Sequence, residues 1–261
     1  MQDRNFDDIA EKFTRNIYGT TKGLIRQAVI WQDLQDLLTR LPGRPLYILD
    51  AGGGEGRMSR RLASLGHRVL LCDLSADMLA RAQDAARQDG VMDNMQFVQG
   101  AIQEIAPHLE RSVDLILLHA VLEWVAEPRK LLRQIHDYLA PGGALSLMFY
   151  NKHGLVMRNM VLGNIGFVKQ GMPKRKKRSL IPDHPCDPEQ VYRWLAELGM
   201  RCSGKSGVRV FHDYLQNKQQ QKDAFPALLE MEQRYCRQEP FIGMGRYIHV
   251  MAHKLPLKDD I

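Results

Sequence analysis

The residues best suited to ligand chemistry form a glycine-rich run, Asp50-Ala51-Gly52-Gly53-Gly54-Glu55-Gly56, directly after a short apolar stretch. Glycines let the backbone turn tightly and let a ligand approach without meeting side chains. The helix expected after the run would point its free N–H groups at whatever is bound. The spacing does not fit the Gly-x-Gly-x-x-Gly of dinucleotide-binding folds, because Arg57 or Ser59 stands where the third glycine belongs. The run fits Asp-x-Gly-x-Gly-x-Gly and predicts a ligand-binding loop.

An acidic residue ends the next apolar stretch. Residues 68–73 finish in Asp73, which lies 21 residues after Gly52. Ligands of open α/β sheets bind at the carboxyl ends of the strands, where both motifs are expected to lie. An ionised carboxylate can accept two hydroxyl hydrogen bonds at once, so Asp73 is a candidate acceptor for a pair of ligand hydroxyls.

Five short apolar runs indicate the strands that must position these residues. Near-continuous apolar runs are typical of strands that are covered on both faces in a parallel sheet. The runs fall at residues 46–49, 68–73, 95–98, 113–118 and 144–150. Helical segments are predicted between them, near residues 57–65, 75–89 and 128–139. The second of these has Ser75 as a candidate N-cap and Asp77 in its first turn. This alternation predicts an α/β fold with a doubly wound sheet.

The first 45 residues are predicted to be a helical cap with one apolar face. Leucine, alanine and tryptophan recur there at spacings of three and four residues. The members of the face are Leu24, Ala28, Trp31, Leu34, Leu38 and Leu41. Residues 151–186 contain glycines, prolines and basic residues with weak periodicity, which predicts an insertion on the sheet.

Regular structure is predicted again in residues 187–261. Asp187 is a candidate N-cap for a helix that ends near Leu198. Extended segments are expected near residues 207–211 and 246–252, on either side of a polar helix near 222–237. The second extended segment is expected to complete the sheet. We expect a single domain over residues 1–261, with the ligand-binding core at 46–150.

Composition and charge exclude several classes of protein. The 261 residues are 44% hydrophobic and 25% charged, which is typical of a globular protein and not of a disordered one. No apolar stretch approaches the roughly 18 residues of a membrane span. The acidic start and four scattered cysteines favour a cytoplasmic protein without a metal site. Residues 1–150 carry a net charge of −2 and residues 151–261 one of +8, which favours a catalytic core joined to a surface for a polyanion.

With these elements in place, the sequence resembles the class I S-adenosylmethionine-dependent methyltransferases. The resemblance spans most of residues 45–150 and rests on the glycine run, on Asp73 and on the turn Leu139-Ala140-Pro141-Gly142-Gly143. It implies a Rossmann-like, mostly parallel, seven-stranded sheet and S-adenosyl-L-methionine as the cofactor. Seven residues are implied to bind it: Arg26, Gly52, Gly53, Asp73, Ile102, Gln103 and His119.

The implied roles differ in how far the residues themselves support them. Asp73 would bind both ribose hydroxyls, and Ile102 and Gln103 would lie beside the adenine. His119 would face the methionine part of the cofactor, and Arg26 could clamp its carboxylate with two hydrogen bonds. The alternatives are a surface turn at 101–103, a structural histidine at 119 and an exposed helix arginine at 26.

Five consecutive cations, Lys174-Arg175-Lys176-Lys177-Arg178, form the most charged segment of the chain. Such a run must be solvated or be neutralised by an anionic partner. Because it lies in the insertion expected to overhang the site, we expect these residues to contact nucleic-acid phosphates. Basic and aromatic residues interleave further along, as in proteins that stack on unpaired RNA bases. A solvated loop with no partner is the alternative.

The chain as a whole resembles a family of bacterial tRNA methyltransferases. The similarity covers residues 1–254 and includes the segments 119–124, 148–151, 207–214 and 234–240. It implies methylation of the carboxylate of 5-carboxymethoxyuridine at the tRNA wobble position, giving the methyl ester, with the anticodon stem-loop as partner. A carboxylate is already ionised at neutral pH, so no general base is required and no catalytic residue is predicted. The alternatives are a methyltransferase acting on a small carboxylate or quinone precursor, and a non-catalytic RNA-binding protein.

Overall fold

A seven-stranded sheet organises the computed structural model, which describes residues 19–173, 182 and 184–255. The strands are β1 (Tyr47–Ala51), β2 (Arg68–Asp73), β3 (Met95–Gln99), β4 (Val113–His119), β5 (Leu139–Tyr150), β6 (Met200–Val208) and β7 (Tyr247–Lys254). Their order across the sheet is β3-β2-β1-β4-β5-β7-β6. Strands β1 to β5 pair in parallel, and β7 is antiparallel to both β5 and β6. The predicted doubly wound, mostly parallel sheet is confirmed.

The strand order reverses between β1 and β4, which lie side by side although β2 and β3 intervene in the chain. At such a switch point the following loops leave on opposite faces and open a crevice at the carboxyl ends of the strands. The glycine run follows β1 at this point, and His119 ends β4. The topology therefore brings two of the predicted motifs together.

Helices cover both faces of the sheet. They are α1 (Thr21–Leu38), α2 (Arg57–Ala63), α3 (Ala76–Gln88), α4 (Pro128–Tyr138), α5 (Lys152–Val161), α6 (Ile165–Lys169), α7 (Pro188–Glu197), α8 (Gln220–Asp223), α9 (Phe225–Tyr235) and α10 (Phe241–Met244). Ser75 caps α3 by accepting a hydrogen bond from the Met78 amide, and Asp187 caps α7 through the Glu189 amide. Both predicted caps are confirmed. No helix in the described ranges is long and apolar enough to cross a bilayer.

The predicted apolar face of α1 is partly confirmed. Leu34 and Leu41 are buried, and Trp31 and Leu38 are partly buried against the same core. Leu24 is 46% exposed, whereas its neighbour Ile25 is fully buried. The residues that α1 packs against the sheet are Ile25, Val29, Ile30, Asp33, Leu34 and Leu37. A polar residue, Asp33, occupies the centre of the face, which the spacing of apolar residues could not reveal.

The extended segment predicted at 207–211 was also wrong. Strand β6 ends at Val208, and Arg209 has the left-handed backbone angle φ of 63°. The amides of Val210, Phe211 and His212 then donate to the buried carboxylate of Glu232 at 2.7, 3.0 and 2.7 Å. These amides are held by a side chain instead of a neighbouring strand, so the segment turns away from the sheet.

Residues 151–171 contain more regular structure than the weak periodicity predicted. Helix α5 begins directly after β5, with Asn151 as its N-cap. The Asn151 amide group also donates to the carbonyls of Gly243 and Gly245, both at 2.8 Å. This side chain thereby ties the start of α5 to the segment that precedes β7.

Candidate active site

The glycine run forms one wall of a cavity at the carboxyl ends of the strands. The amides of Gly52 and Gly53 donate to the Cys72 carbonyl at 2.8 and 3.2 Å, which holds the loop against β2. A Cβ at Gly52, where φ is 73°, would lie 2.6 Å from Val121 Cγ2, and one at Gly53 would lie 2.7 Å from Asp50 Cγ. Only glycine fits at either position, so the backbone itself lines the cavity.

Asp73 is fixed at the rim of the same cavity. Its Oδ2 accepts a hydrogen bond from the Gly54 amide and its Oδ1 accepts one from the Ser75 amide, both at 2.9 Å. A carboxylate oxygen can accept more than one hydrogen bond, so a carboxylate held in this way suits ligand hydroxyls. The two backbone bonds set the orientation of the carboxylate before any ligand arrives.

The remaining predicted cofactor residues lie on other elements around the cavity. Ile102 is buried and Gln103 partly buried in a short 3₁₀ turn after β3. Arg26 projects from α1, with its guanidinium carbon 5.6 Å from the centre of the Tyr247 ring. The structure thus brings all seven predicted residues to one cavity: Arg26, Gly52, Gly53, Asp73, Ile102, Gln103 and His119.

His119 is connected to a chain of buried polar side chains. Its Nε2 lies 2.8 Å from Ser146 Oγ, and Ser146 Oγ lies 2.7 Å from His249 Nε2. His249 Nδ1 lies 2.6 Å from Asp33 Oδ2. Asp33 Oδ1 also accepts hydrogen bonds from Ser206 Oγ at 2.9 Å and from Arg237 Nε at 2.9 Å.

This relay fixes both the position and the charge of the His119 ring. Ser146, His249 and Asp33 are fully buried, so their hydrogen bonds are not exchanged with water. Burial, with further contributions from the neighbouring His249 and Arg26, holds the pKa of His119 well below its usual value. His119 therefore presents a neutral imidazole to the cavity. The hydrogen bonds that run through Ser146 and His249 set the orientation of its ring.

Two buried acids also line the cavity, and neither was predicted as a site residue. Burial raises the pKa of Asp50 and that of Glu123 to about 7 each. Ser59 Oγ donates to Asp50 at 2.5 Å. Both carboxyl oxygens of Glu123 are buried, and the nearby backbone amides of Glu123 and Tyr150 only partly offset the effect of burial on its pKa. Two buried carboxyl groups with pKa values near 7 can ionise when a positively charged ligand binds beside them.

A second cavity adjoins the first, and Val125 and Pro182 line both. Its wall includes the aromatic ring of Phe167 and the cationic side chains of Lys152 and Arg158. An apolar, aromatic and cationic lining suits an anionic ligand that carries a ring. The predicted RNA-contacting residues, Lys174, Arg175, Lys176, Lys177 and Arg178, lie outside the described residues.

Comparison with known proteins identifies the family. A methyltransferase-domain family matches residues 49–147. The chain is 62% identical to the tRNA 5-carboxymethoxyuridine methyltransferase of Escherichia coli K12 over 261 residues, which is 100% of both chains. The chain belongs to the tRNA 5-carboxymethoxyuridine methyltransferase family.

More distant matches separate the core of this methyltransferase from the rest of the chain. The trans-aconitate 2-methyltransferase of Deinococcus radiodurans is 36% identical over 122 residues, covering 46% of this chain and 44% of its own. The crystal structure of magnesium protoporphyrin IX methyltransferase from Synechocystis PCC 6803, with bound S-adenosylhomocysteine, has a TM-score of 0.64 and 16% identity over 95% of this chain and 96% of its own. The second match shows the fold alone.

The residues of this site fit S-adenosylmethionine, the cofactor of the methyltransferase domain. A Cβ at Gly52 or Gly53 would collide with its surroundings, so the bare backbone at the cavity wall is a structural requirement. The anchored carboxylate of Asp73 suits ribose hydroxyls, and the buried acids Asp50 and Glu123 suit a cationic ligand. Asp50 belongs to the glycine motif, and Glu123 lies in the segment 119–124 of the family resemblance. The local sequence offered no signal that either would be protonated.

Proposed function

We propose that this protein transfers a methyl group from S-adenosylmethionine to the carboxylate of 5-carboxymethoxyuridine at the wobble position of tRNA, giving the methyl ester. The observation that carries the proposal is that the 62% identity to the E. coli enzyme extends over the whole chain. The relative that methylates trans-aconitate matches only 46% of the chain. Residues outside the shared core therefore distinguish this chain from that small-molecule enzyme.

Each cofactor-binding role is assigned to a residue that lines the first cavity. Asp73 holds the ribose hydroxyls, and the backbone at Gly52 and Gly53 admits the cofactor closely. Ile102 packs against the adenine and Gln103 hydrogen-bonds beside it. The methionine part lies towards His119 and Arg26, where the guanidinium pairs with its carboxylate.

The reaction requires the protein to position the methyl donor and the acceptor and does not require proton transfer. When bound, S-adenosylmethionine supplies the methyl group: the sulfonium C–S bond breaks with its electron pair left on sulfur, and one carboxylate oxygen forms the new O–CH₃ bond. No proton moves, in keeping with an acceptor that is already ionised at neutral pH. Holding the acceptor oxygen in line with the bond that breaks is the main contribution of the site.

The tRNA partner is supported by charge and by the second cavity. Residues 151–261 carry a net charge of +8, and a surface of that sign attracts phosphates at long range. We assign Lys174–Arg178 to the phosphates of the anticodon stem-loop. The second cavity, with Phe167 and Arg158 in its wall, is assigned to the wobble nucleoside taken out of its stack. Its carboxylate would then reach the first cavity past Val125 and Pro182. This assignment places the enzyme in the cytoplasm, with tRNA.

Nucleoside mass spectrometry of bulk tRNA tests the proposal. We expect cells that lack this gene to lose the methyl ester and to accumulate free 5-carboxymethoxyuridine. The wild-type gene should restore the ester, and a gene encoding Asp73→Ala should restore much less of it. An unchanged nucleoside profile would overturn the tRNA assignment and would direct attention to small carboxylic acids.

A further inference from the structure

A cluster of cationic side chains, which we term the arginine cluster, lies beyond the carboxyl end of β5. It consists of Arg158, Arg209 and Arg246, with Lys22 at its exposed rim, around the carboxylate of Asp213. Arg209 Nη2 lies 2.5 Å from both oxygens of Asp213, and Arg246 Nε lies 2.7 Å from Oδ2. The side chains of Arg209, Arg246 and Asp213 are only 12, 10 and 5% exposed.

The arginine cluster holds more positive charge than Asp213 can neutralise. The charges that act on Lys22 are those of Arg209, Arg246 and Arg158 against the single carboxylate of Asp213. Burial, and then Arg209, lower the pKa of Lys22, so a proton is harder to keep there. The Arg158 Nε atom is buried and has no hydrogen-bond partner in the described ranges. Excess buried cations are costly unless an anion joins them.

The position of the arginine cluster links it to both cavities. Arg246 Nη1 donates to the Tyr150 hydroxyl at 2.8 Å, and the Tyr150 ring packs edge-on against Tyr247, which lines the first cavity. Lys22 directly precedes Gly23, another residue of that cavity wall. On the other side, Arg158 lines the second cavity. The arginine cluster therefore borders the second cavity through Arg158 and lies near the wall of the first through Tyr150 and Tyr247.

We propose that the arginine cluster is the site that recognises the acceptor carboxylate of the substrate. This inference rests on the proposed function, in which that carboxylate is methylated. The phosphates of a folded RNA stay at its surface, whereas a carboxylate on the side arm of an unstacked base can reach a site that is about nine-tenths buried. Guanidinium groups are suited to it because their planar forks match the two oxygens of a carboxylate.

Discrimination between two forms of one tRNA tests the proposal. The first carries 5-carboxymethoxyuridine at the wobble position, and the second carries the neutral 5-hydroxyuridine. Their affinities for the protein are measured by fluorescence anisotropy at one salt concentration, in the presence of S-adenosylhomocysteine. A charge-assisted hydrogen bond to a carboxylate predicts that the wild type prefers the first form by about 10- to 100-fold.

The variants Arg246→Gln and Lys22→Gln should reduce this preference while leaving affinity for the neutral tRNA within about two-fold, and Arg158→Gln should also reduce the preference. Arg158 and Lys22 make no ion pair with Asp213 within the described residues, so their variants remain informative if Arg246→Gln does not fold. Arg133→Gln, the same change at an exposed position on α4, is the matched control and should keep the full preference.

Two results would overturn the inference. Equal weakening of both tRNAs would assign the arginine cluster to backbone phosphates, and unchanged preference in the variants would exclude it from substrate binding. Failure of the proposed function looks different. In that case the wild type itself forms no methyl ester on the carboxylate-bearing tRNA and shows no preference for it.

Discussion

The two buried acids at the cofactor cavity lead to a prediction about pH. Asp50 and Glu123 have pKa values raised to about 7 by burial, so in the free protein each is largely protonated at pH 6 and largely ionised at pH 8. A bound sulfonium cation favours their ionised forms. Below pH 7 the protein must therefore release protons in order to bind S-adenosylmethionine, and affinity should fall as the pH falls.

The size of this effect follows from the number of groups. A group with a pKa of about 7 that ionises on binding changes the affinity about ten-fold between pH 8 and pH 6, and two such groups change it about 100-fold. Isothermal titration calorimetry at pH 6, 7 and 8, in buffers of different ionisation enthalpy, measures the affinity and the protons released. The variants Asp50→Asn and Glu123→Gln should each remove about ten-fold of the dependence.

Comparison with variants is essential because the amino group of the cofactor also titrates. Asp93→Asn, a change at an exposed acid, is the control and should keep the wild-type pH dependence. The reasoning is refuted if the affinity of the wild type is constant from pH 6 to pH 8. It is equally refuted if both cavity variants retain the full dependence.

Four other residues give predictions about binding and stability. Asp73→Asn should weaken S-adenosylmethionine about 10- to 100-fold in calorimetry, since a charged acceptor is lost from the cavity, with little change in the melting temperature. Gly53→Ala should lower the free energy of unfolding by about 1–3 kcal/mol in urea titrations, because its Cβ would lie 2.7 Å from Asp50 Cγ. Asp33→Asn should lower it by about 3–5 kcal/mol, because a fully buried carboxylate that accepts hydrogen bonds from Ser206 and Arg237 loses its charge. The pKa values of Asp33 and Asp213 are held low by their hydrogen-bond and ionic partners, against the opposing effect of burial. The stabilisation that these two carboxylates give to the fold is therefore present above pH 4 and is lost as the pH falls through their folded pKa values. Urea titrations at pH 5 and pH 3 measure that loss.

The fold and the cofactor cavity could be predicted because their signals are local in the sequence. The apolar runs, the Ser75 cap and the glycine motif are each contained within a few residues. Asp73 is separated from the glycine motif by one helix, and the alternation of strands and helices places both at the same sheet edge. Periodicity and turn chemistry are sufficient for such features.

The relay behind His119 could not be predicted in the same way. His249 is 103 residues from Ser146 and 216 residues from Asp33, and a pattern along the chain does not relate them. Ser146 and His249 come within hydrogen-bond distance only because β5 and β7 pair in a register that sets Met148 opposite His249 and Ser146 opposite Met251. The same holds for the arginine cluster, whose side chains come from the residue before β7, the turn after β6 and two helices.

The partly incorrect face of α1 shows how a buried polar residue can decide the position of a helix. The helix carries apolar residues on two overlapping faces, one centred near Leu24 and Trp31 and one near Ile25 and Val29. Both sets follow helical spacing, so spacing alone does not determine which face is buried. Asp33 does: only the second orientation brings its carboxylate to His249, Ser206 and Arg237.

This choice bears on function because α1 contributes to both parts of the site. With Asp33 seated in the core, Arg26 lies at the cofactor cavity and Lys22 at the rim of the arginine cluster. A rotation of the helix by one residue, about 100°, would remove both side chains from these positions. A buried ion pair often contributes little net stability compared with apolar packing, but it can select a unique arrangement. In this protein the arrangement selected by Asp33 aligns the residues proposed to bind the methyl donor with those proposed to bind its acceptor.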